Sequence, residues 1–304
     1  EEYVITAMIG TNTADGRGNV TVYASYENRA QVTQNNRSFS ACTIGESSNP
    51  DTSFGGAGCV GSSNFRRFAD FFNGDGTNDD VFQEEDGTIV PFVGGPAQTY
   101  NFGQRNFFQR PSERYTLYGR AHYELTDNIE AFMDVSYPDV ISDAQHAETA
   151  SFGAIYDINC DNPFIQGTPG IDLATEVFGC SADDIANGVV KSDLFASHRN
   201  LEGGPRNSRL ENSAFRLIGG LRGDFAEGVW SYEVFGQYSE TSDSSLSTND
   251  FVIENLQQAF LVTTDADGNA VCTDTSGGCV PYNIFQRGPG GESLVTQEDR
   301  KSVV

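Results

Sequence analysis

Two groups of residues in this chain have types and spacing that support chemistry: cysteines in near-neighbour pairs, and carboxylates crowded around glycines. The cysteines fall as Cys42 with Cys59, Cys160 with Cys180, and Cys272 with Cys279, each pair inside one polar, Gly/Asn/Asp-rich segment. Sequence alone leaves several connectivities open to six cysteines. Local pairing is the favoured one, since it closes three short loops worth roughly 2–3 kcal/mol each by the chain-entropy argument. Disulfides imply an oxidising compartment. Zinc is disfavoured, because no C-x-x-C spacing occurs and the histidines are only His122, His146 and His198. The carboxylates lie in Phe72-Asn73-Gly74-Asp75-Gly76-Thr77-Asn78-Asp79-Asp80. Calcium takes oxygen ligands from flexible turns of this kind, with Asn73, Asp75, Asp79 and Asp80 as candidate ligands. An EF-hand loop does not fit, because Phe71 and Phe82 stand where its first and last ligands belong. A solvated acidic turn is the competing reading.

Catalytic signatures are missing. No G-x-S-x-G occurs, and neither His122 nor His146 has a nucleophile at the spacing of a hydrolase family. Gly94-Gly95-Pro96 and Gly288-Pro289-Gly290-Gly291 punctuate turns; no Lys-Ser/Thr follows to make a phosphate loop. Pairs such as Glu84-Glu85 and Asp183-Asp184 are expected in a chain with 43 acids. The reading is a protein that is not an enzyme and has no resident cofactor.

Over 304 residues, 18 Lys+Arg face 43 Asp+Glu, a net charge of −25. That excludes a nucleic-acid partner, which needs clustered cations. Aromatics at 12 % argue against disorder. No apolar run reaches the roughly 18 residues of a transmembrane helix. Transmembrane β-strands stay open, since they show only alternation. The start, Glu1-Glu2-Tyr3-Val4-Ile5, reads as mid-strand rather than as a leader. The end, Asp299 to Val304, has no terminator character, so a piece of a longer protein is expected.

One design recurs three times: strand, short turn, strand, very long loop. In the first hairpin (about 2–32), Tyr3, Ile5, Ala7 and Ile9 alternate with other residues, Asp15-Gly16-Arg17-Gly18-Asn19 turns, and Val20, Val22, Ala24 and Tyr26 return. In the second (about 112–138), Tyr115, Leu117, Gly119, Ala121, Tyr123 and Leu125 share a face with Ile129, Ala131, Met133, Val135 and Tyr137, across the turn Thr126-Asp127-Asn128. In the third (about 209–242), Phe215, Leu217, Gly219, Leu221, Gly223 and Phe225 share one with Trp230, Tyr232, Val234, Gly236 and Tyr238 across Ala226-Glu227-Gly228. The intervening loops are about 33–111, 139–208 and 243–304.

One-sided strands fit either a soluble sheet over a core or a barrel with apolar side chains outward. The strands are long, aromatics gather at the turn end, and turns at one end are short where loops at the other are enormous. All three favour an antiparallel transmembrane β-barrel segment, all-β, with disulfide-braced extracellular loops. Arg114, Arg120, Arg216 and Arg222 face the presumed interior near Glu124, Glu130, Asp134, Asp224 and Glu233. They read as a cross-strand ion-pair ladder, or alternatively as contacts to a ligand or plug.

Several segments resemble TonB-dependent outer-membrane receptors of the large proteobacterial subfamily. They are Phe108-Gln109-Arg110-Pro111-Ser112-Glu113-Arg114-Tyr115 leading to His122-Tyr123-Glu124-Leu125-Thr126-Asp127, then Ile158-Asn159-Cys160-Asp161-Asn162-Pro163. Phe215 to Phe225 with Trp230-Ser231-Tyr232-Glu233-Val234, and Cys279-Val280-Pro281-Tyr282-Asn283-Ile284-Phe285, complete the set. The resemblance covers nearly the whole chain, and its specificity lies in their order and spacing. It implies a barrel of about 22 strands, an internal plug domain, coupling to TonB, and uptake of a scarce nutrient such as a siderophore, cobalamin or glycan. The chain itself offers no candidate plug or TonB box and only about six strands, too few to close such a barrel. The expected partners are therefore outer-membrane lipid, a plug domain and TonB from outside this segment, and a small-molecule or glycan substrate. The expected location is the outer membrane of a Gram-negative bacterium. Tyr100, Phe102, Phe107, Phe251 and Phe260 are candidate substrate contacts in the loops. Two further readings stand beside this one: a surface-displayed β-rich adhesion or structural protein, and a soluble all-β module acting on glycans.

Overall fold

A computed structural model describes residues 1–44, 59–72, 79–152, 154–225 and 228–304. The first part of the chain runs β1 (Glu2–Asn12), β2 (Gly18–Arg29), β3 (Val32–Thr33), β4 (Thr43–Ile44), β5 (Cys59–Val60), β6 (Arg67–Ala69), β7 (Asp80–Gln83), β8 (Ile89–Pro91) and β9 (Phe107–Gln109). Then come β10 (Ser112–Thr126), β11 (Ile129–Glu148), β12 (Ile155–Asn159), α1 (Ala182–Asn187), β13 (Val190–Ser197), β14 (Pro205–Phe225) and β15 (Trp230–Thr248). The last part carries α2 (Ile253–Phe260), β16 (Val262–Thr264), β17 (Ala270–Cys272) and α3 (Gln297–Val303). These elements make two compact units: Glu1–Thr33, Phe107–Gln145 and Asn207–Thr248 form the first, and Gln34–Asn106, His146–Arg206 and Asn249–Val304 the second.

The first unit is a six-stranded sheet in the order β1-β2-β10-β11-β14-β15. Sequence-adjacent strands are neighbours throughout, as three hairpins laid side by side require. The tight turns follow the turn chemistry: Gly16 and Gly228 take φ of +75° and +85°, which L side chains resist. In the register, Ile5 opposes Tyr26, Ala7 opposes Ala24, and Ile9 opposes Val22. Leu117 opposes Ala24 on one side and Tyr137 on the other, and Leu221 opposes Val234. Each expected apolar set therefore lies on a single face of its hairpin. Gly18 lies opposite Tyr123, and a Cβ there would meet the ring at 2.6 Å. The phenol donates to Asp15 Oδ2 at 2.7 Å, so one tyrosine covers the glycine and ties down the neighbouring turn.

Three strands run longer than the alternation suggests: β11 continues past Tyr137 to Glu148, and β14 and β15 also exceed their expected bounds. Beyond Phe215 and Glu240, β14 and β15 continue to Asn207 and Thr248 in unbroken register, through Arg209, Glu211, Asn212, Asp243, Ser244 and Ser245. This part is polar on both faces apart from Leu210, Ala214 and Leu246.

The second unit is built from the segments that read as loops, and it has a packed interior. A five-stranded antiparallel sheet in the order β12-β13-β6-β7-β8 carries Phe68, Val81, Ile89, Tyr156, Ile158 and Leu194 into one core. Leu256, Ala259 and Phe260 join it from α2 at helical i, i+3, i+4 spacing. The segment 172–186 holds a π-helical turn at Leu173–Val177 and then α1. α1 starts on a capping box: Ser181 Oγ accepts from Asp184 N–H, and Asp184 accepts from Ser181 N–H. Asn159 and Asn162 stitch the core to α2 and β16. Asn159 donates to Val262 O at 2.6 Å and accepts its N–H at 3.0 Å, while Asn162 donates to Phe260 O at 3.0 Å.

Candidate functional site

Two disulfides are present as paired in the sequence, Cys160–Cys180 and Cys272–Cys279. The side chain of Cys59 lies outside the described residues, and with it the expected Cys42–Cys59 bond. Asn73 and Asp75 of the acidic turn lie outside them as well. Asp80 has both carboxylate oxygens taken by Arg67, from Nε at 2.7 Å and Nη2 at 2.6 Å. Asp79 accepts Asp70 N–H through its backbone carbonyl. Among the described residues no group of three His, Cys, Asp or Glu is arranged to hold a metal ion.

The six-stranded sheet leaves its apolar face bare. Ile9 is 75 % exposed, Leu117 54 %, Met133 47 % and Val234 68 %, where a soluble sheet would bury such a row under a second layer. The band is bounded by rings at both ends. Tyr3, Tyr26 and Tyr115 pack as tilted rings with centroids 5.9 and 4.9 Å apart at one end. Tyr123, Phe225, Trp230 and Tyr232 stand at the other. From Phe215 to Phe225 the strand covers about 34 Å, which a tilt of about 40° reduces to about 26 Å. The lipid-facing apolar band of an outer-membrane barrel is about 25 Å tall.

The opposite face is mixed. Arg120 grips Asp134 at 2.7 and 3.1 Å, and Tyr118 adds a bond to the same carboxylate at 3.0 Å. Arg222 donates to Glu130 at 2.7 Å, whereas Arg216 pairs with the amide of Gln237 at 3.0 Å. The expected ladder therefore exists at Arg120 and Arg222 and takes a neutral partner at Arg216. Val4, Met8 and Phe235 share this face and are exposed.

In the second unit a cavity of about 240 Å³ is lined by Phe102, Asn106, His146, Phe152, Arg199 and Arg206, with Ser62 and Ala147. Long-range backbone pairing sets Arg199 there: residue 150 bridges residue 199 as in an antiparallel sheet, and Asn200 N–H donates to Thr149 O at 2.9 Å. Arg199 is 2 % exposed and Glu148 1 %. Arg199 Nη1 donates to Glu148 O at 2.7 Å, and its Nε has no hydrogen-bond partner among the described residues. The guanidinium lies over Tyr100 at 4.9 Å and Phe152 at 5.1 Å. Arg206 lies over the same Phe152 ring at 5.3 Å and donates to Ala147 O at 2.9 Å. The Glu148 carboxylate is engaged elsewhere, by Arg105 at 3.2 Å and by the Tyr100 hydroxyl. Burial and then the Glu148 bond push the Tyr100 hydroxyl up to about 12. Burial brings the Arg199 guanidinium down to about 10; Tyr100 and Glu148 oppose that, and the charge of Arg206 adds to it.

The glycine at 61 permits the close approach that builds one wall. A Cβ there would stand 2.3 Å from Tyr100 O, and residues 62 and 100 exchange backbone bonds at 2.9 and 3.0 Å. Asn101 then opens the turn Phe102–Arg105 by accepting Gly103 N–H, which places Phe102 on the cavity.

Of the aromatic residues expected to touch substrate, Phe102 lines this cavity and Tyr100 flanks it through Arg199. Phe260 is corrected: it is 1 % exposed inside the core, and Phe251 packs against that core. Arg199, Arg206 and Glu148 carry no signal in the sequence. No motif surrounds them, and the backbone pairing that assembles them is long-range. No protein-family profile, curated protein or solved structure matches the chain.

Proposed function

We propose that this chain is part of a TonB-dependent outer-membrane receptor, a partial barrel whose outer segments capture a scarce nutrient. The observation that carries the reading is the bare apolar face of the sheet, bounded by aromatic rings at a spacing that matches a bilayer core. Three features support it further. The polar extensions of β14 and β15 suit strands that leave lipid and continue into water. Disulfides in the second unit suit an oxidising exterior. The opposite face, part ion pairs and part Met8, Phe235 and Val4, suits contact with a globular plug better than a purely aqueous bore. Backbone groups on the open edges of β1 and β15 would need further strands, since a sheet edge in hydrocarbon leaves polar groups unsatisfied.

The test is photolabelling of the protein in lipid with a membrane-dissolved diazirine, read by mass spectrometry. Label on Leu117, Met133 and Val234, and not on Arg120 or Arg222, is the expected result. A protein that stays monomeric in plain buffer, with no label on those side chains, would end the membrane reading. Label in lipid with no plug encoded in the same gene would point to a surface-displayed β-protein instead of a receptor.

A further inference from the structure

We propose that the cavity beside Arg199 and Arg206 binds a small oxyanion, a phosphate or carboxylate group carried on a ligand whose flat or apolar part rests against Phe102 and Phe152. As the capture site of a receptor it rests on the reading above; as an anion site it does not.

Charge is the first argument. The protein carries −25 overall, yet this cavity is lined by two guanidinium groups and no carboxylate. Among the described residues no carboxylate oxygen lies within ion-pair distance of Arg199 or Arg206, although such pairs are found at Arg29, Arg67, Arg105, Arg120, Arg209 and Arg222. Two unpaired cations this close repel each other and attract any anion that can enter.

Satisfaction of donors is the second. A guanidinium has five N–H donors. Arg199, almost wholly buried, spends Nη1 on Glu148 O and leaves Nε without a partner. An unmade bond to a buried charged group is costly, and an oxyanion in the adjoining cavity would offset that cost by setting negative charge against the guanidinium. Rings at 4.9 and 5.1 Å hold the guanidinium in place before any ligand arrives. Burial, with the neighbouring charge of Arg206 adding to it, lowers the basicity of Arg199 even against the opposing pull of Tyr100 and Glu148.

Shape is the third. About 240 Å³ is room for a compact ligand bearing one such group. Asn106 and His146 offer further polar contacts at the wall. Phe152 is half exposed and presents apolar surface beside the two cations.

The experiment is calorimetric titration of the purified protein with inorganic phosphate in one arm and benzoate in the other. It is repeated on Arg206→Gln, on Arg206→Lys and on the exposed Arg37→Gln as a control. A saturable site with a dissociation constant below about 1 mM is expected. Affinity should fall at least about tenfold in Arg206→Gln, stay within about threefold in Arg206→Lys, and not change in Arg37→Gln. Tighter phosphate assigns a phosphate-bearing ligand, and tighter benzoate a carboxylate. No saturation by about 10 mM of either anion overturns the site, as does binding that Arg206→Gln leaves intact or that Arg37→Gln also removes. Diazirine labelling of the same preparations separates the two readings: lost anion binding with labelling unchanged ends this inference alone, and lost labelling with binding intact ends only the membrane reading.

Discussion

Arg222 and Glu130 meet across the seam between the second and third hairpins, with Nε donating to Oε1 at 2.7 Å. Both side chains keep substantial exposure, 48 % and 23 %, so their worth depends on what fills the space in front of them. Against water the pair couples by no more than about 1 kcal/mol. We expect a double-mutant cycle of Arg222→Gln and Glu130→Gln, read by urea unfolding in lipid, to return a value in that range. A coupling above about 2 kcal/mol would mean a dry face and would contradict a water-filled bore in front of the pair.

The apolar face gives a sharper test. Val22 stands opposite Gly119 and Ile9, midway between the Tyr26–Tyr115 and Tyr123 ends of the band. In lipid, arginine at the midplane costs about 2–4 kcal/mol. On an ordinary solvated sheet the same exposed substitution stays within about ±0.5 kcal/mol. Val22→Arg is therefore expected to lower stability in lipid by the larger amount, while Thr21→Arg on the other face costs much less. Equal and small effects would place both faces in water.

The hairpins are legible in the sequence because each strand is long enough for alternation to show on its own. Leu117, Gly119 and Ala121 mark a face by their spacing alone, and their partners in β2 and β11 follow from short turns that fix the register. The second unit is not legible in the same way. Arg67–Ala69, Ile89–Pro91 and Val262–Thr264 are each three residues long, too short for any period to be read. Phe260 reads as a ligand contact because aromatics in polar segments invite that reading; the long-range core that buries it leaves no local trace. Arg199 shares this problem, since its position depends on pairing with residue 150 and on Glu148, both about fifty residues away.

The disulfides differ in how much chain they close. Cys160–Cys180 spans a separation of 20 residues and Cys272–Cys279 one of 7. The chain-entropy relation gives about 3 kcal/mol for the first and about 2 kcal/mol for the second. Both Cys160 and Cys180 belong to the core of the second unit, so losing that bond also opens packed surface. We expect Cys160→Ala/Cys180→Ala to raise proteolysis of the second unit well above the effect of Cys272→Ala/Cys279→Ala. The reverse order would show that the shorter bridge holds the unit together.

Glu202 makes the second unit acid-sensitive in a defined window. Burial pushes its carboxyl up, but the His198 imidazole, 3.5 Å away, together with Ser293, more than offsets this and holds it at about 2 against an ordinary 4.5. A carboxyl with a depressed folded value stabilises the fold above its unfolded value. That contribution begins to fade as the pH falls past about 4.5 and is gone below about 2. Its size is on the order of 3 kcal/mol. Other acids titrate in the same range, so the quantity to read is the difference between two curves. Melting temperature against pH for the protein and for Glu202→Gln should diverge above pH 5, where the glutamate stabilises, and converge as the pH approaches 2. Parallel curves from pH 7 to pH 2 would show that Glu202 has no depressed value and that His198 does not hold it.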